Sequence, residues 1–349
     1  MGSRTMRAVV LKEFGGPEKL QLEEVAAPTA GTLREREVLI RVKAVGVCYH
    51  DIINRQGNLP RTKLPSIMGH EIAGEVEAVG RAVRAFRPGD RVATIQRVPC
   101  GHCDLCRRDR TTLCKEGVFF GEEIPGGYAD LVVSEEQGLA KLPDGLGFEE
   151  ASICACTIGT AIHVVRTRGA VQLDETVLIT GASGGVGLHA IQVCRLTGAR
   201  VYAVTSSPAK AAKLEEAGAD HVIVAPDLKF APQVRRATGG RGVDVALEIT
   251  GALTFDQSIR SLAQAGRMIV VGNLETRPVS VMPGLLILKE LEIRGSFATT
   301  TAELSEAFRL VVEKKIRPMV SKVMPLSEVA RAHQILYDRG VTGRIVLSV

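Results

Sequence analysis

Four cysteines, Cys100, Cys103, Cys106 and Cys114, fall within fifteen residues with the spacing C-x2-C-x2-C-x7-C. Thiolates on one loop can surround a single tetrahedral zinc, and four sulfurs leave no open position, so this lobe, about residues 97–116, reads as a structural site. An iron–sulfur cluster uses similar thiolates, but the lobe sits among Arg and Asp residues and lacks a Cys-Pro ending. His102, inside it, reads as a solvated loop residue. A second set is dispersed: Cys48 in VGVCYHD, His70 and Glu71 in GHE, and one cysteine of Cys154-Ala155-Cys156. Two thiolates and an imidazole leave room on a zinc for water or substrate, which catalysis needs. Spacing alone neither brings residues 48, 70 and 156 together nor chooses between Cys154 and Cys156.

A third constellation is glycine-rich. Thr180-Gly181-Ala182-Ser183-Gly184-Gly185-Val186-Gly187 follows the apolar run VLI and opens a helical pattern. Small residues let a pyrophosphate approach the backbone, and the N–H groups of a helix N-terminus, here at Gly184, Gly185, Val186 and Gly187, hold its charge. A dinucleotide cofactor is therefore expected. At the end of the next strand, Thr205, Ser206 and Ser207 with Lys210 stand where an acidic residue would bind an unphosphorylated ribose, so NADP(H) is expected over NAD(H).

These groups need two kinds of scaffold. Residues 7–150 read as short strands with frequent turns: Arg7–Leu11, then 37–45, 71–79 and 91–94. From Glu175, apolar runs at 177–180, 201–204, 221–224, 244–247 and 268–271 alternate with helical patterns at about 186–197, 208–217 and 254–265. That alternation predicts an α/β fold with a doubly wound parallel sheet beside a β-rich domain. The tail adds helical stretches near 302–314 and 326–338 and a strand at 344–348, and it is expected to rejoin the first domain. The domains are drawn as 1–151 with 291–349, and 152–290. Met1–Thr5 reads as a tag remnant or an upstream start, because the pattern begins at Met6.

Length and composition agree with two globular domains of ordinary size: 349 residues, 45% hydrophobic and 24% charged. The net charge of +5 is spread along the chain, so neither nucleic acid nor a membrane surface is an expected partner. The longest uncharged stretch, 176–194, reads as strand, turn and helix rather than a membrane span. No secretory leader pattern is visible, and the cytoplasm is the expected compartment.

Taken together, RAVVL, VGVCYHD, GHEIAGEVEAVG, the cysteine lobe, GGYAD, GASGGVG and TGRIVL resemble the zinc-containing medium-chain alcohol dehydrogenase family along essentially the whole chain. The resemblance implies a GroES-like catalytic domain, a Rossmann domain, an active site in the cleft between them, and a homodimer or homotetramer with one catalytic and one structural zinc per subunit. It implies Cys48, His70 and Cys156 as catalytic zinc ligands, since Thr160 follows Cys156 by four, with Glu71 beside the metal and Asp51 orienting the ligand histidine. It also implies cofactor contacts from Thr160, Thr250, Gly272 and Asn273, and from Arg344 to the cofactor phosphates.

One departure bears on mechanism. Most alcohol dehydrogenases of the family have Ser or Thr two residues after the zinc cysteine; here that residue is His50. In one reading, hydride passes between the nicotinamide and an alcohol or carbonyl whose oxygen zinc polarises, with His50 or a zinc-bound water in the proton path. In the alternative, the substrate is an α,β-unsaturated acyl-CoA or enone, because CYHD and the Thr-Ser-Ser ending resemble the NADPH-dependent acryloyl-CoA reductases. Arg55, Arg61 and Lys63 would then steer a CoA phosphate. The complete ligand set favours the first and argues against a third, a catalytically silent zinc- and dinucleotide-binding relative.

Overall fold

The strand Glu37–Val47 is buried along nearly its whole length because it has neighbours on both sides, and its apolar run ends at Cys48. In this computed structural model, which describes residues 4–349, it is the central strand of a mixed seven-stranded sheet. The order is Leu139–Lys141, Arg91–Thr94, Glu71–Val79, Glu37–Val47, Arg344–Ser348, Val320–Pro325, and Leu131–Glu135 also pairs with the central strand. A second sheet orders Leu20–Ala26, Thr5–Leu11 and Ser66–Ile67. Of the N-terminal segment set apart in the sequence, residues 1–3 lie outside the described residues, whereas Thr5 already belongs to a strand.

Register brings the dispersed ligands together. Glu71–Val79 runs antiparallel to the central strand with Gly46 opposite Glu71, so Cys48 and His70 emerge at the same end. On the other side Ile345 lies opposite Val47, which sets Arg344 beside Cys48. The helix Phe148–Ile153 packs on these strands, and the π-helical turn Cys154–Gly159 continues it.

The chain divides into two units, 4–159 with Ala298–Lys314 and Val320–Val349, and Thr160–Phe297 with Lys315–Met319. The cuts fall later than the residue 151 and 290 boundaries drawn from sequence. The helical run holding Cys156 belongs with the first unit's strands, and a sixth strand, Glu292–Gly295, extends the second unit's sheet.

That sheet is parallel, ordered His221–Val224, Arg200–Thr205, Thr176–Ile179, Val243–Glu248, Leu262–Val270, Glu292–Gly295. This is the doubly wound order whose switch point lies outside the ends of its first and fourth strands. The helix expected over 254–265 stops at Ser261, because the fifth parallel strand already begins at Leu262. The helical run Phe148–Arg168 is long and apolar enough by composition to cross a membrane, but 83% of its most apolar window is buried in the folded chain, which reads as a core helix.

Candidate active site

Cys48 caps the helix Tyr49–Arg55, and Asp51 in its first turn ties three elements together. Asp51 Oδ2 accepts from the Cys48 backbone N–H at 3.0 Å and from the Tyr128 hydroxyl at 3.2 Å, while Oδ1 lies 3.0 Å from His70 Nδ1. A hydrogen bond to Nδ1 fixes the His70 tautomer and leaves Nε2 for a metal. Burial opposes ionisation of Asp51, but the His70 charge outweighs it and holds the carboxyl below its ordinary range. His70 in turn is held well above its ordinary value by Asp51, against its own burial.

Gly69 makes this arrangement possible. Its φ of +91° lies in the left-handed region, and an added Cβ would sit 2.5 Å from the Tyr128 ring. The chain of contacts continues outward, because Tyr128 donates to Asp51 and so accepts from His333 Nε2 at 3.1 Å. Burial pushes His333 down to about 4, so it is neutral, with Nδ1 as its unpaired nitrogen.

Cys48, His70, Glu71 and Cys156 are all buried, and their ligand atoms lie within 4.8 Å of one another. Zinc–sulfur bonds of ~2.3 Å at tetrahedral angles require sulfurs about 3.8 Å apart; Cys48 and Cys156 are 3.9 Å apart. Cys154 turns away, its thiol donating to the Glu150 carbonyl at 3.2 Å, and burial pushes it up. Without metal, the hydrogen bond from Cys156 drives Cys48 toward thiolate and Cys156 correspondingly upward. Neither Glu71 oxygen has a well-aligned hydrogen-bond partner, although Oε1 pairs with Arg344 at 2.9 Å; burial pushes the carboxyl up to about 7 against that pull. A fully buried carboxylate with open lone pairs beside two sulfurs and an imidazole suits a divalent cation.

In the lobe, Cys100–Cys106, Cys103–Cys106 and Cys103–Cys114 sulfur separations are 4.0, 3.6 and 3.8 Å, again the edges of a zinc tetrahedron. The Cys106 backbone N–H pulls the Cys103 thiol down to about 6. His102 stays at the surface, with Nδ1 against the Cys100 carbonyl.

Some predicted residues stand elsewhere than the resemblance implied. Arg344 is buried against the cluster, ion-paired with Glu71 and 3.8 Å from the Cys156 sulfur. Arg55, grouped with the steering charges, is buried at 2% exposure, and Arg61 pairs with Glu122 and Glu123. His50 Nε2 lies 2.8 Å from Glu122 Oε1, and the ring stacks on Phe119. Sequence reasoning missed Glu122, Phe119, Tyr128 and His333, because contacts across 69 to 205 residues leave no spacing signal.

In the second unit the helix Gly185–Leu196 begins at Gly184 with no side-chain cap, which leaves its first N–H groups open to an anion. Gly187 has no room for a side chain: a Cβ would lie 2.5 Å from the Gly181 carbonyl. Glu248, fully buried at the end of the fourth parallel strand, was also missed. It accepts from Thr180 Oγ1, Thr254 Oγ1, Ser258 Oγ and the backbone of Thr250 and Gly251. It thereby ties the glycine-rich turn to the Thr250 loop. Gly272 and Asn273 lie against that loop, with Leu274 N–H donating to the Thr250 carbonyl. Thr205 Oγ1 accepts from Ser207 N–H at 3.2 Å, with Ser206 and Lys210 half-buried nearby in sequence, and Thr160 is buried.

An uncapped dinucleotide-type turn and a buried cluster of two cysteines, a histidine and a glutamate in one chain are the parts that a metal-assisted oxidoreductase needs. Residues 34–144 match the alcohol dehydrogenase GroES-like domain, and residues 185–313 match the zinc-binding dehydrogenase family. An acryloyl-coenzyme A reductase of Metallosphaera sedula is 35% identical over 98% of this chain and 100% of its own. An alcohol dehydrogenase of Geobacillus stearothermophilus is 32% identical over 99% of this chain and 100% of its own. The crystal structure of AibC superposes with a TM-score of 0.92 at 55% identity, covering 99% of this chain and 96% of that one. This chain belongs to the zinc-containing medium-chain alcohol dehydrogenase family, including its acryloyl-CoA reductase-like branch, and is an oxidoreductase acting on small molecules.

Proposed function

We propose that the enzyme uses NADPH to reduce a conjugated carbonyl compound, an α,β-unsaturated acyl thioester such as an acyl-CoA, by hydride addition at the β carbon. The observation that carries this reading is His50, an imidazole bonded to a buried carboxylate where the family pattern has a hydroxyl, beside a full set of candidate metal ligands. The 35% identical acryloyl-CoA reductase supports the substrate class. Zinc held by Cys48, His70 and Cys156, with Glu71 adjacent, would supply a Lewis acid at the carbonyl oxygen, which conjugate and direct carbonyl reduction both need. Asp51 and Tyr128 hold the ligand imidazole in place for it. Gly184, Gly185, Val186 and Gly187 would bind the cofactor pyrophosphate, Thr160, Thr250, Gly272 and Asn273 would border the nicotinamide, and Thr205, Ser206, Ser207 and Lys210 would receive the 2′-phosphate. As hydride reaches the β carbon, His50 gives a proton to the α carbon, so one C=C π bond is replaced by two C–H bonds and the imidazole is reprotonated from water.

A short-chain enoyl-CoA with NADPH and the zinc-loaded enzyme is expected to give the saturated thioester, one NADPH consumed per product. No NADPH oxidation with any enoyl-CoA would contradict the reading. Ser206→Asp places like charge at the phosphate pocket and is expected to lower kcat/KM for NADPH roughly tenfold or more while favouring NADH; an unchanged cofactor ratio would remove the pocket argument. Direct interconversion of alcohol and carbonyl is the second reading, supported by the 32% identical alcohol dehydrogenase and compatible with the same ligand set. Eight cysteines without a disulfide fit a reducing compartment, the cytoplasm.

The outer edge of Glu292–Gly295 has no strand partner among the described residues, and Met282, Ile287 and Leu288 nearby are 62–79% exposed. An exposed apolar edge of this kind suits a second copy. Antiparallel pairing about Ile293 sets Glu292 opposite Arg294 of the partner subunit, building a homodimer or the dimer unit of a homotetramer. Light scattering on the protein is expected to give a multiple of 37.3 kDa, and the Ile287→Glu, Leu288→Glu double variant a monomer; a monomeric parent would contradict this.

A further inference from the structure

The His50 ring is held on three sides. Nε2 lies 2.8 Å from Glu122 Oε1, the ring stacks on Phe119 with centroids 4.8 Å apart and planes at 28°, and its edge meets the His70 ring at 5.2 Å. Glu122 is itself fixed: its side chain is 2% exposed, and Oε2 lies 3.3 Å from Arg61 Nε. Burial pushes the Glu122 carboxyl up, but His50 and Arg61 outweigh it and hold it below its ordinary range. An ionised carboxylate only accepts, so Nε2 carries a proton and donates it. No hydrogen bond among the described residues involves Nδ1, and the His50 side chain is 31% exposed.

We propose that Glu122 is a positioning residue for the reaction: by accepting from Nε2 it keeps that proton and the ring orientation fixed, so that Nδ1 is the nitrogen that takes up a proton from water and gives it to the substrate. This rests on the reading of His50 as proton carrier and adds what sets its working nitrogen. An unanchored imidazole would rotate about its side-chain bonds and divide between two tautomers, so only part of the population would be competent. Phe119 stacking restricts tilt but not which nitrogen holds the proton. Only Glu122 does both. Arg61 has a supporting part, since its pairing keeps the carboxylate from turning toward another donor.

The test uses the zinc-loaded, full-length enzyme with three single variants and one double. Glu122→Ala is expected to lower kcat by about 10- to 100-fold, by analogy with the range for partners that orient a metal-ligating imidazole. Zinc content and the NADPH dissociation constant should stay within twofold. Glu122→Gln keeps an amide oxygen that accepts the same bond, so it is expected to recover most of that loss. In a His50→Gln background, Glu122→Ala should cause no further fall, because the two residues act as one unit. The inference is overturned if Glu122→Ala leaves kcat within twofold, if Gln is no better than Ala, or if the two losses multiply in the double variant. A His50→Gln enzyme at the parent rate would instead sink the proton-carrier reading, and this inference with it.

Discussion

Serine in place of Cys156 is expected to lower turnover by more than about a hundredfold and to release one zinc per subunit, while Cys154→Ser keeps both metal and activity. Residues that merely support a metal ligand are worth 10- to 100-fold in affinity or activity, and a ligand itself exceeds that range. The two cysteines are two positions apart and point differently. Cys156 reaches the Cys48 sulfur and the Arg344 guanidinium, whereas the Cys154 thiol donates to the Glu150 carbonyl, a bond that a serine hydroxyl can replace. Zinc analysis beside kinetics separates metal loss from misfolding, because the lobe of Cys100, Cys103, Cys106 and Cys114 is expected to retain an ion of its own. An active Cys156→Ser enzyme with a dead Cys154→Ser enzyme would reverse the assignment.

Glutamine in place of His50 is expected to lower kcat by roughly 10²- to 10⁴-fold with zinc content unchanged, the usual worth of a positioned proton carrier. Glutamine retains a polar side chain against Glu122 but cannot deliver a proton at neutral pH. The KM for NADPH should move little, because His50 and the glycine-rich turn lie in different compact units. A kcat within threefold of the parent would leave proton delivery to water, and the departure at position 50 would lose its mechanistic meaning.

What could be read from the sequence divides by the range of the contact. The cysteine lobe closes on one loop, so spacing alone points to the cluster, and its sulfurs lie 3.6–4.0 Å apart. Cys48 and His70 meet because two antiparallel strands end together, a matter of register that no local pattern encodes. Arg344 lies in a correctly expected closing strand, yet its side chain turns to Glu71, a direction set by the neighbouring strand rather than by its own motif. Glu122, between Gly121 and Glu123, and Glu248, between Leu247 and Ile249, belong to no local motif, and only burial among donors marks them as anchors. The strand Glu292–Gly295 was missed because an edge strand with charged residues at two of its four positions has no apolar run to reveal it.

Product analysis with an α,β-unsaturated aldehyde and NADPH tests the central claim most directly, because one substrate carries both bonds that hydride could saturate. The account predicts the saturated aldehyde, with hydride from the nicotinamide at the β carbon and solvent hydrogen at the α carbon. An allylic alcohol as the product would contradict it and return the enzyme to direct carbonyl chemistry.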